Sequence, residues 1–537
     1  MKAKAIVLSG RAYSGKSTLA KLLAERRRDC LLVRSKAVIE VSLSSVPRDA
    51  AGLAKAARRL EADTKGGWLT TSLNEKLLSS AGDLGLVVID AVESAEQVLY
   101  LRRSGWSVTH VHLQASESEL EKRSLKNQAG RGRLQTSKAV TRPKAIDALA
   151  DIADVVVDTD RCSADDVFAR VIARMEVRPV TAVPLVDVMI GGQYGSEGKG
   201  NIAHYLAPEY DVLVRVGGPN AGHKVFRSGE HPYTFHQLPS GALANRDATL
   251  VIGAGAVISL ERLLKEIAEL SINHDKLIID PQAMIINNEV DIAWEVAHLK
   301  NAIGSTAQGV GSATARKILY RRSDSNVVLA KDVPALKHYI RDSVEYFAEC
   351  LSVGRRIMLE GTQGTSLSLH HGSYPHVTSR VTTAAGSLAE AGLSARHVRR
   401  VIMVCRTYPI RVGDTDTGNT SGPMSQQITI EQISERSGIP LEELKITETT
   451  STTHRPRRIA EFDWAQFRRS LILNAPTDIA LTFADYFGVD NRKAYRYEQL
   501  TTDTLRFIEE AEKVGGVPVS MISTAFNDRN IIDRRMW

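Results

Sequence analysis

The sequence has 537 residues, more than one ordinary core accommodates and enough for two or three domains. An apolar fraction of 43% and a charged fraction of 24% are those of globular chains, and no apolar run reaches the roughly eighteen residues of a membrane span. The net charge of +7 comes with no helix-turn-helix, zinc-finger or RNA-binding signature, so anionic nucleotides are the expected partners rather than nucleic acid. Four scattered cysteines, Cys30, Cys162, Cys350 and Cys405, form no CxxC pair and exclude a zinc framework; reduced thiols and a cytoplasmic setting are expected.

In chain order, "KAIVLSG" reads as a short strand that ends in glycine, followed by a helix in which Leu19, Leu22 and Leu23 recur at helical spacing. The stretches 84–90, 108–115 and 152–159 read as further buried parallel strands, so an α/β layer fold is expected. Between the first strand and helix stands Gly10-Arg-Ala-Tyr-Ser-Gly15-Lys16-Ser17, which fits GxxxxGK[ST] in strand-loop-helix context. Its backbone N–H groups would curl around phosphates, Lys16 would supply charge and Ser17 a magnesium ligand. Asp90, ending an apolar strand, is a second magnesium candidate or a helix cap. A basic stretch carries Arg123, Arg131 and Arg133; it reads either as a solvated face or as a lid whose arginines stabilise a transferring phosphoryl group. Residues 1–178 thus resemble a P-loop nucleoside monophosphate kinase. The proline-containing stretch around 179–185 reads as a linker, and 186–537 as a second α/β domain, each domain with a mostly parallel sheet flanked by helices.

A second glycine-rich loop, "GGQYGSEGKGN" (191–201), departs from ordinary P-loop spacing. It is followed in order by "VRVGGPNAGHKV" (214–225), "HQLPSGAL" (236–243), "AIGSTAQGVG" (302–311), "EGTQGTSLSLHHGSYPHVTS" (360–379), "TTHRPRR" (452–458), "TFAD" (482–485) and "MISTAF" (521–526). Together these resemble the adenylosuccinate synthetase family. The resemblance implies a ligase in which a nucleoside triphosphate phosphorylates the 6-oxygen of a purine nucleoside monophosphate and the amine of L-aspartate then displaces phosphate. It implies that Glu197, Gly198, Lys199, Gly200, Asp485 and Ser523 bind the triphosphate. Asn220, Thr306, Gln363 and Thr378 would hold the purine monophosphate. Thr452, Thr453, Arg455 and Arg457 would grip aspartate, a dicarboxylate suited to guanidinium forks. His223, Lys199, Gln363 and the residue at Ser196 would carry the chemistry, with the Gly222 carbonyl on Mg²⁺. A homodimer is implied as well, although Tyr320 stands where an intersubunit phosphate-binding arginine is expected.

Three departures qualify the resemblance. Ser196 stands where members carry the aspartate that takes the purine N1 proton, and a hydroxyl is neither a good base nor a good metal ligand. Phe483 replaces the lysine of a guanine-reading "TKxD", which favours ATP or dATP at least as much as GTP. Ser368 and His370 replace two acids. A serine at 196 frees room along the N1/C2 edge for a 2-amino group, as in the phage 2-aminoadenylosuccinate synthetases, so dGMP or GMP is the expected substrate. IMP is the alternative. A third possibility is a nucleotide-sensing or defence module whose kinase-like domain regulates the synthetase.

Overall fold

The structure is a computed structural model that describes residues 4–26, 30–42, 50–79, 86–129, 143–175, 183–226, 231–415, 417–449, 456–525 and 530–537. Five strands start the chain: β1 (Lys4–Ser9), β2 (Cys30–Val33), β3 (Leu86–Ile89), β4 (Ser107–Gln114) and β5 (Val155–Asp158). They form one parallel sheet in the order β2-β3-β1-β4-β5. Alternation along β1 explains why both faces are covered. Ala5 and Val7 pack with Trp68, Leu69 and Leu101 on one side, while Ile6 and Leu8 pack with Leu19, Leu23 and Phe168 on the other. The helix Lys16–Arg26 buries Leu19, Ala20 and Leu23 on one stripe and so fixes the first phosphate loop at the carboxyl end of β1.

The chain divides into two units, Met1–Val177 and Arg178–Trp537. The second contains β6 (Val186–Gly191), β7 (Val212–Arg215), the hairpin β8 (His223–Val225) and β9 (Tyr233–Phe235), then β10 (Thr249–Ile252), β11 (Val257–Ile258), β12 (Leu277–Ile279) and β13 (Met284–Ile285). It continues through β14 (Ile357–Gly364), β15 (Val398–Arg406), β16 (Ile410–Val412), β17 (Gln427–Ile428), β18 (Arg457–Ala460), β19 (Asp478–Thr482), β20 (Val519–Ser523) and β21 (Ile531–Asp533). Nine of these build a sheet in the order β12-β10-β7-β14-β6-β15-β19-β20-β21, parallel except for β21. Val186, Val188 and Ile190 of β6 face one core and Met189 the other, while the strand's one acid, Asp187, is buried against Arg399 and Tyr210, so both faces of this central strand are covered. The loops after β6, β7, β14, β19 and β20 therefore emerge together at the carboxyl edge of the sheet, where open parallel sheets bind ligands.

Candidate active site

The second phosphate loop leaves β6 and enters the helix Lys199–Leu206. Two glycines permit its path. Gly195 has φ +104°, and a Cβ there would stand 2.9 Å from Gln363 Cα on β14; Gly198 caps the helix at φ +86°. Inside the loop lies the Glu197 carboxylate, 1% exposed. Oε1 accepts from the N–H groups of Gln193 (2.9 Å) and Gly195 (2.7 Å), and Oε2 pairs with Lys199 Nζ at 2.8 Å. Lys199 also donates to the Gly195 carbonyl at 3.1 Å. Thr482 Oγ1 donates to the Glu197 carbonyl at 2.6 Å and ties the loop to β19. Glu197, with both oxygens committed to the loop, lines neither cavity described below and is not placed to take a proton from a bound purine.

Beyond β7, Arg215 donates to the carbonyls of Ala221 (2.7 Å) and Leu238 (3.1 Å) and thereby shapes the turn that carries Asn220, Gly222 and His223. His223 Nδ1 is hydrogen-bonded to Glu360, which Ser240 also contacts through its N–H (2.8 Å) and Oγ. Burial beside Arg215 pushes the imidazole below its ordinary value. Burial works the opposite way on Glu360, but His223, Arg215 and Ser240 outweigh it and keep the carboxylate ionised. With Nδ1 fixed on Glu360, Nε2 is buried without a partner and His223 lines both cavities.

The first cavity, of about 410 Å³, is lined by Ser196, Asn220, Gly222, His223, Thr306, Gln363, Thr378 and Arg457 among others. Asn220 Oδ1 and Gln363 Oε1 are buried there without partners, and Gln363 holds a left-handed backbone at φ +54°. Such strain at a non-glycine residue persists where surrounding contacts enforce it, often at ligand sites. Glu295 accepts from Gly309 N (2.8 Å) and Gly311 N (2.6 Å) and pins the segment behind Thr306. The second cavity, about 280 Å³, is lined by Gly198, Lys199, Gly200, Phe483, Asp485 and Ser523. Gly195, Ser196, Gly222, His223 and Arg457 line both, so the two cavities adjoin at the serine and the histidine. Arg457 is half-buried beside the buried Glu448, which also accepts from Arg406 Nη2 at 2.6 Å. Asp485 is 1% exposed; burial raises its carboxyl to about 6 even though Arg492 pairs with it. Thr452, Thr453 and Arg455 lie outside the described residues, as do Arg131 and Arg133 of the first unit.

The family match falls on this second unit. The family model of adenylosuccinate synthetase matches residues 188–330 and 324–491. The chain belongs to the adenylosuccinate synthetase family. Adenylosuccinate synthetase of Methanocaldococcus jannaschii is 36% identical over 354 residues, 65% of this chain and 96% of the relative. That of Methanococcus aeolicus is 36% identical over 355 residues, 65% and 99% of the two chains. Among solved structures, succinoaminodeoxyadenylate synthetase of cyanophage S-2L, bound to dGMP and to dATP as an energy donor, matches with 29% identity and a TM-score of 0.56. That match covers 66% of this chain and 96% of the phage protein. The fully ligated adenylosuccinate synthetase of Plasmodium falciparum shares the fold at 22% identity and TM-score 0.57, over 65% and 100% of the two chains. The second unit is thus a purine-nucleotide ligase of the adenylosuccinate synthetase type. No helix among the described residues is long and apolar enough to cross a membrane.

Sequence reasoning missed Glu360, although an acid inside the apolar run "IMLEG" was a signal. It also missed the Glu197–Lys199 pair and Arg492, which depend on neighbours that only the fold supplies.

In the first unit, Lys16 Nζ donates to the carbonyls of Gly10 (2.6 Å) and Arg11 (2.8 Å), and burial lowers its pKa to about 8. Gly15 precedes it at φ +102° and Ser17 follows, exposed. Asp90 Oδ1 accepts from Ser35 N at 2.9 Å, at the start of the helix Ser35–Ser42, so this carboxylate caps a helix through one oxygen. Arg123 donates to Thr159 O (2.7 Å) and to Glu119 (2.9 Å) and reaches Tyr13 O at 3.4 Å; it is tied into the scaffold beside the loop.

Proposed function

We propose that the second unit joins L-aspartate to C6 of a guanine nucleoside monophosphate, dGMP or GMP, and gives 2-aminoadenylosuccinate at the expense of ATP or dATP. The observation that carries this reading is Ser196 at the junction of the two cavities, where a larger acid would crowd a 2-amino group. The orphaned oxygens of Asn220 and Gln363 support it, because guanine brings N1–H and N2–H donors to that cavity. The cradle around Lys199 would take the triphosphate. His223 Nε2 would meet the phosphorylated 6-oxygen, whose negative charge favours a protonated ring that donates to it while Glu360 holds Nδ1–H. Arg457, with Thr452, Thr453 and Arg455, would hold aspartate.

Among the described residues no cluster of three His, Cys, Asp or Glu could hold a metal ion. The junction offers the Gly222 carbonyl and the Ser196 hydroxyl. This donor set fits Mg²⁺ bound mainly by triphosphate oxygens and water, which is its preferred mode, and there it would neutralise charge on the transferring group. For the first unit, the loop Gly10–Ser17 on a parallel sheet supports a nucleotide kinase, with Lys16 on phosphate, and Ser17 and the second oxygen of Asp90 on Mg²⁺. A homodimer is proposed by family likeness; Ile318, Leu319 and Tyr320 are exposed apolar candidates for its interface.

The test is a substrate panel. The protein is incubated with aspartate, MgATP or MgGTP, and each of dGMP, GMP, dIMP and IMP, and succinylated product is read by mass. Product from dGMP or GMP supports the proposal; product from IMP alone overturns it.

A further inference from the structure

Asp485 stands in the wall of the second cavity, in the turn Ala484–Phe487 after β19. Its two oxygens are not equivalent. Oδ2 accepts from Arg492 Nε at 2.9 Å, whereas Oδ1 is buried without a partner. Arg492 is held from its other end by Glu443, at 2.7 Å from Nη2, and its carbonyl accepts from Asn530 Nδ2 at 3.2 Å. The guanidinium therefore cannot swing away without losing a second ion pair.

A buried acceptor left unpaired costs free energy, and such groups are retained where a ligand completes them. What a carboxylate can read depends on how many oxygens it has free. Guanine presents two adjacent donors, N1–H and N2–H, which match a carboxylate with both oxygens available. Adenine presents a single exocyclic donor group, N6–H₂. We infer that Arg492 sets the nucleobase choice of this cavity: by engaging Oδ2 it leaves Oδ1 as the one unpartnered oxygen of Asp485, which suits the 6-amino group of adenine better than the paired donors of guanine. Arg492 touches no substrate in this account and is a positioning residue. The inference rests on the reading that the second cavity receives the triphosphate of the ligase.

The cavity wall agrees in its other parts. Phe483 precedes Asp485 with a left-handed backbone at φ +60°, and the Arg406 guanidinium lies 3.7 Å from its ring centroid. Neither side chain adds an acceptor for guanine N2–H₂, and Asp485 is the one carboxylate among the described residues that line the cavity.

Two experiments on the full chain test this. In the first, the wild-type succinylation reaction is driven by ATP, GTP or ITP. ITP lacks only the 2-amino group of GTP. With one oxygen of Asp485 occupied, that group gains nothing, so GTP and ITP should agree in kcat/KM within about twofold, and ATP should exceed both by about tenfold, a difference of roughly 1.4 kcal/mol. A GTP advantage over ITP of about tenfold would mean that both oxygens read guanine, and the inference would be wrong.

In the second, Arg492→Ala frees Oδ2 and Arg492→Lys keeps a donor near it. The alanine variant should shift the ATP/GTP ratio of kcat/KM toward GTP by about tenfold through the triphosphate KM. The lysine variant should restore the preference. The KM values for aspartate and purine monophosphate should not move. Equal losses with both triphosphates would assign Arg492 a purely structural role and overturn the inference. Should wild type make no succinylated product with any triphosphate, the ligase reading fails by itself. Calorimetric binding of non-hydrolysable ATP and GTP analogues, wild type against Arg492→Ala, then still judges Arg492, because the contribution of the first unit is common to both and cancels.

Discussion

The two phosphate loops of this chain solve one problem in different ways. In the loop Gly10–Ser17 the lysine folds onto carbonyls of its own loop, at 2.6 and 2.8 Å, so a phosphate bound there, as proposed, would give it a charged partner in place of neutral ones. In the loop after β6 the lysine is buried against Glu197, and the cradle is electrically balanced before any ligand enters. A balanced cradle gains less from phosphate charge alone. Discrimination in the second unit must then come from groups around the loop: Ser196 and Phe483, which depart from the family pattern, and the Asp485–Arg492 pair.

Breaking each loop separately is the largest perturbation. Lys16→Ala should abolish phosphotransfer by the first unit and leave succinylation within about twofold, and Lys199→Ala the reverse; loss of a charged donor at a phosphoryl group costs on the order of 10²–10³ in rate. Parallel assays of the two reactions check this. If Lys16→Ala also slows succinylation, the first unit regulates the second.

Ser196→Asp comes next. The acid should return a base to the N1 edge and crowd the 2-amino group, so dGMP and GMP turnover falls and IMP turnover rises, each by about 10²-fold, the scale of one positioned base. A variant that slows all purines alike would assign Ser196 no part in selectivity.

Arg455→Ala should raise the KM for aspartate by roughly ten- to a hundredfold, the worth of a charge-assisted hydrogen bond, with the nucleotide KM values little changed. Initial rates against aspartate concentration measure it, and an unchanged KM would remove Arg455 from the aspartate site.

The smallest effect concerns stability. Asp485 has its carboxyl raised by burial to about 6, above its unfolded value, so the folded protein holds that proton more tightly. The resulting stability is present at low pH and is lost as pH rises from about 4 to 6; at neutral pH the site carries a strained charge, faced by Arg492 and Arg406 with Glu443 and Glu448 behind them. Asp485→Asn should therefore melt a few degrees higher than wild type at pH 8, with the gap closing toward pH 4.5. Thermal melts at the two pH values decide it; a gap that widens on acidification would contradict the burial argument.

Much of the second site was legible in the sequence because its residues sit in short motifs on loops at strand ends. Ser196, His223, Gln363 and Asp485 follow directly from such motifs, and the structure gathers them around two adjoining cavities. What the sequence could not supply is who holds them. Glu360 lies 137 residues from the histidine it orients. Arg492 is only seven residues from Asp485, yet its pairing depends on the turn after β19 and on Glu443 across it. The two-faced apolar strands announced parallel sheets, but the nine-strand order follows from long-range packing that no local pattern encodes.

The central claim, that Ser196 suits the second unit to a guanine nucleotide, is tested most directly by competition in one tube. Equimolar dGMP and IMP are offered with limiting enzyme, aspartate and MgATP, and the two succinylated products are counted by mass at low conversion, which gives the ratio of kcat/KM values. The account predicts that the 2-amino product exceeds adenylosuccinate by at least about tenfold. An excess of adenylosuccinate would contradict it.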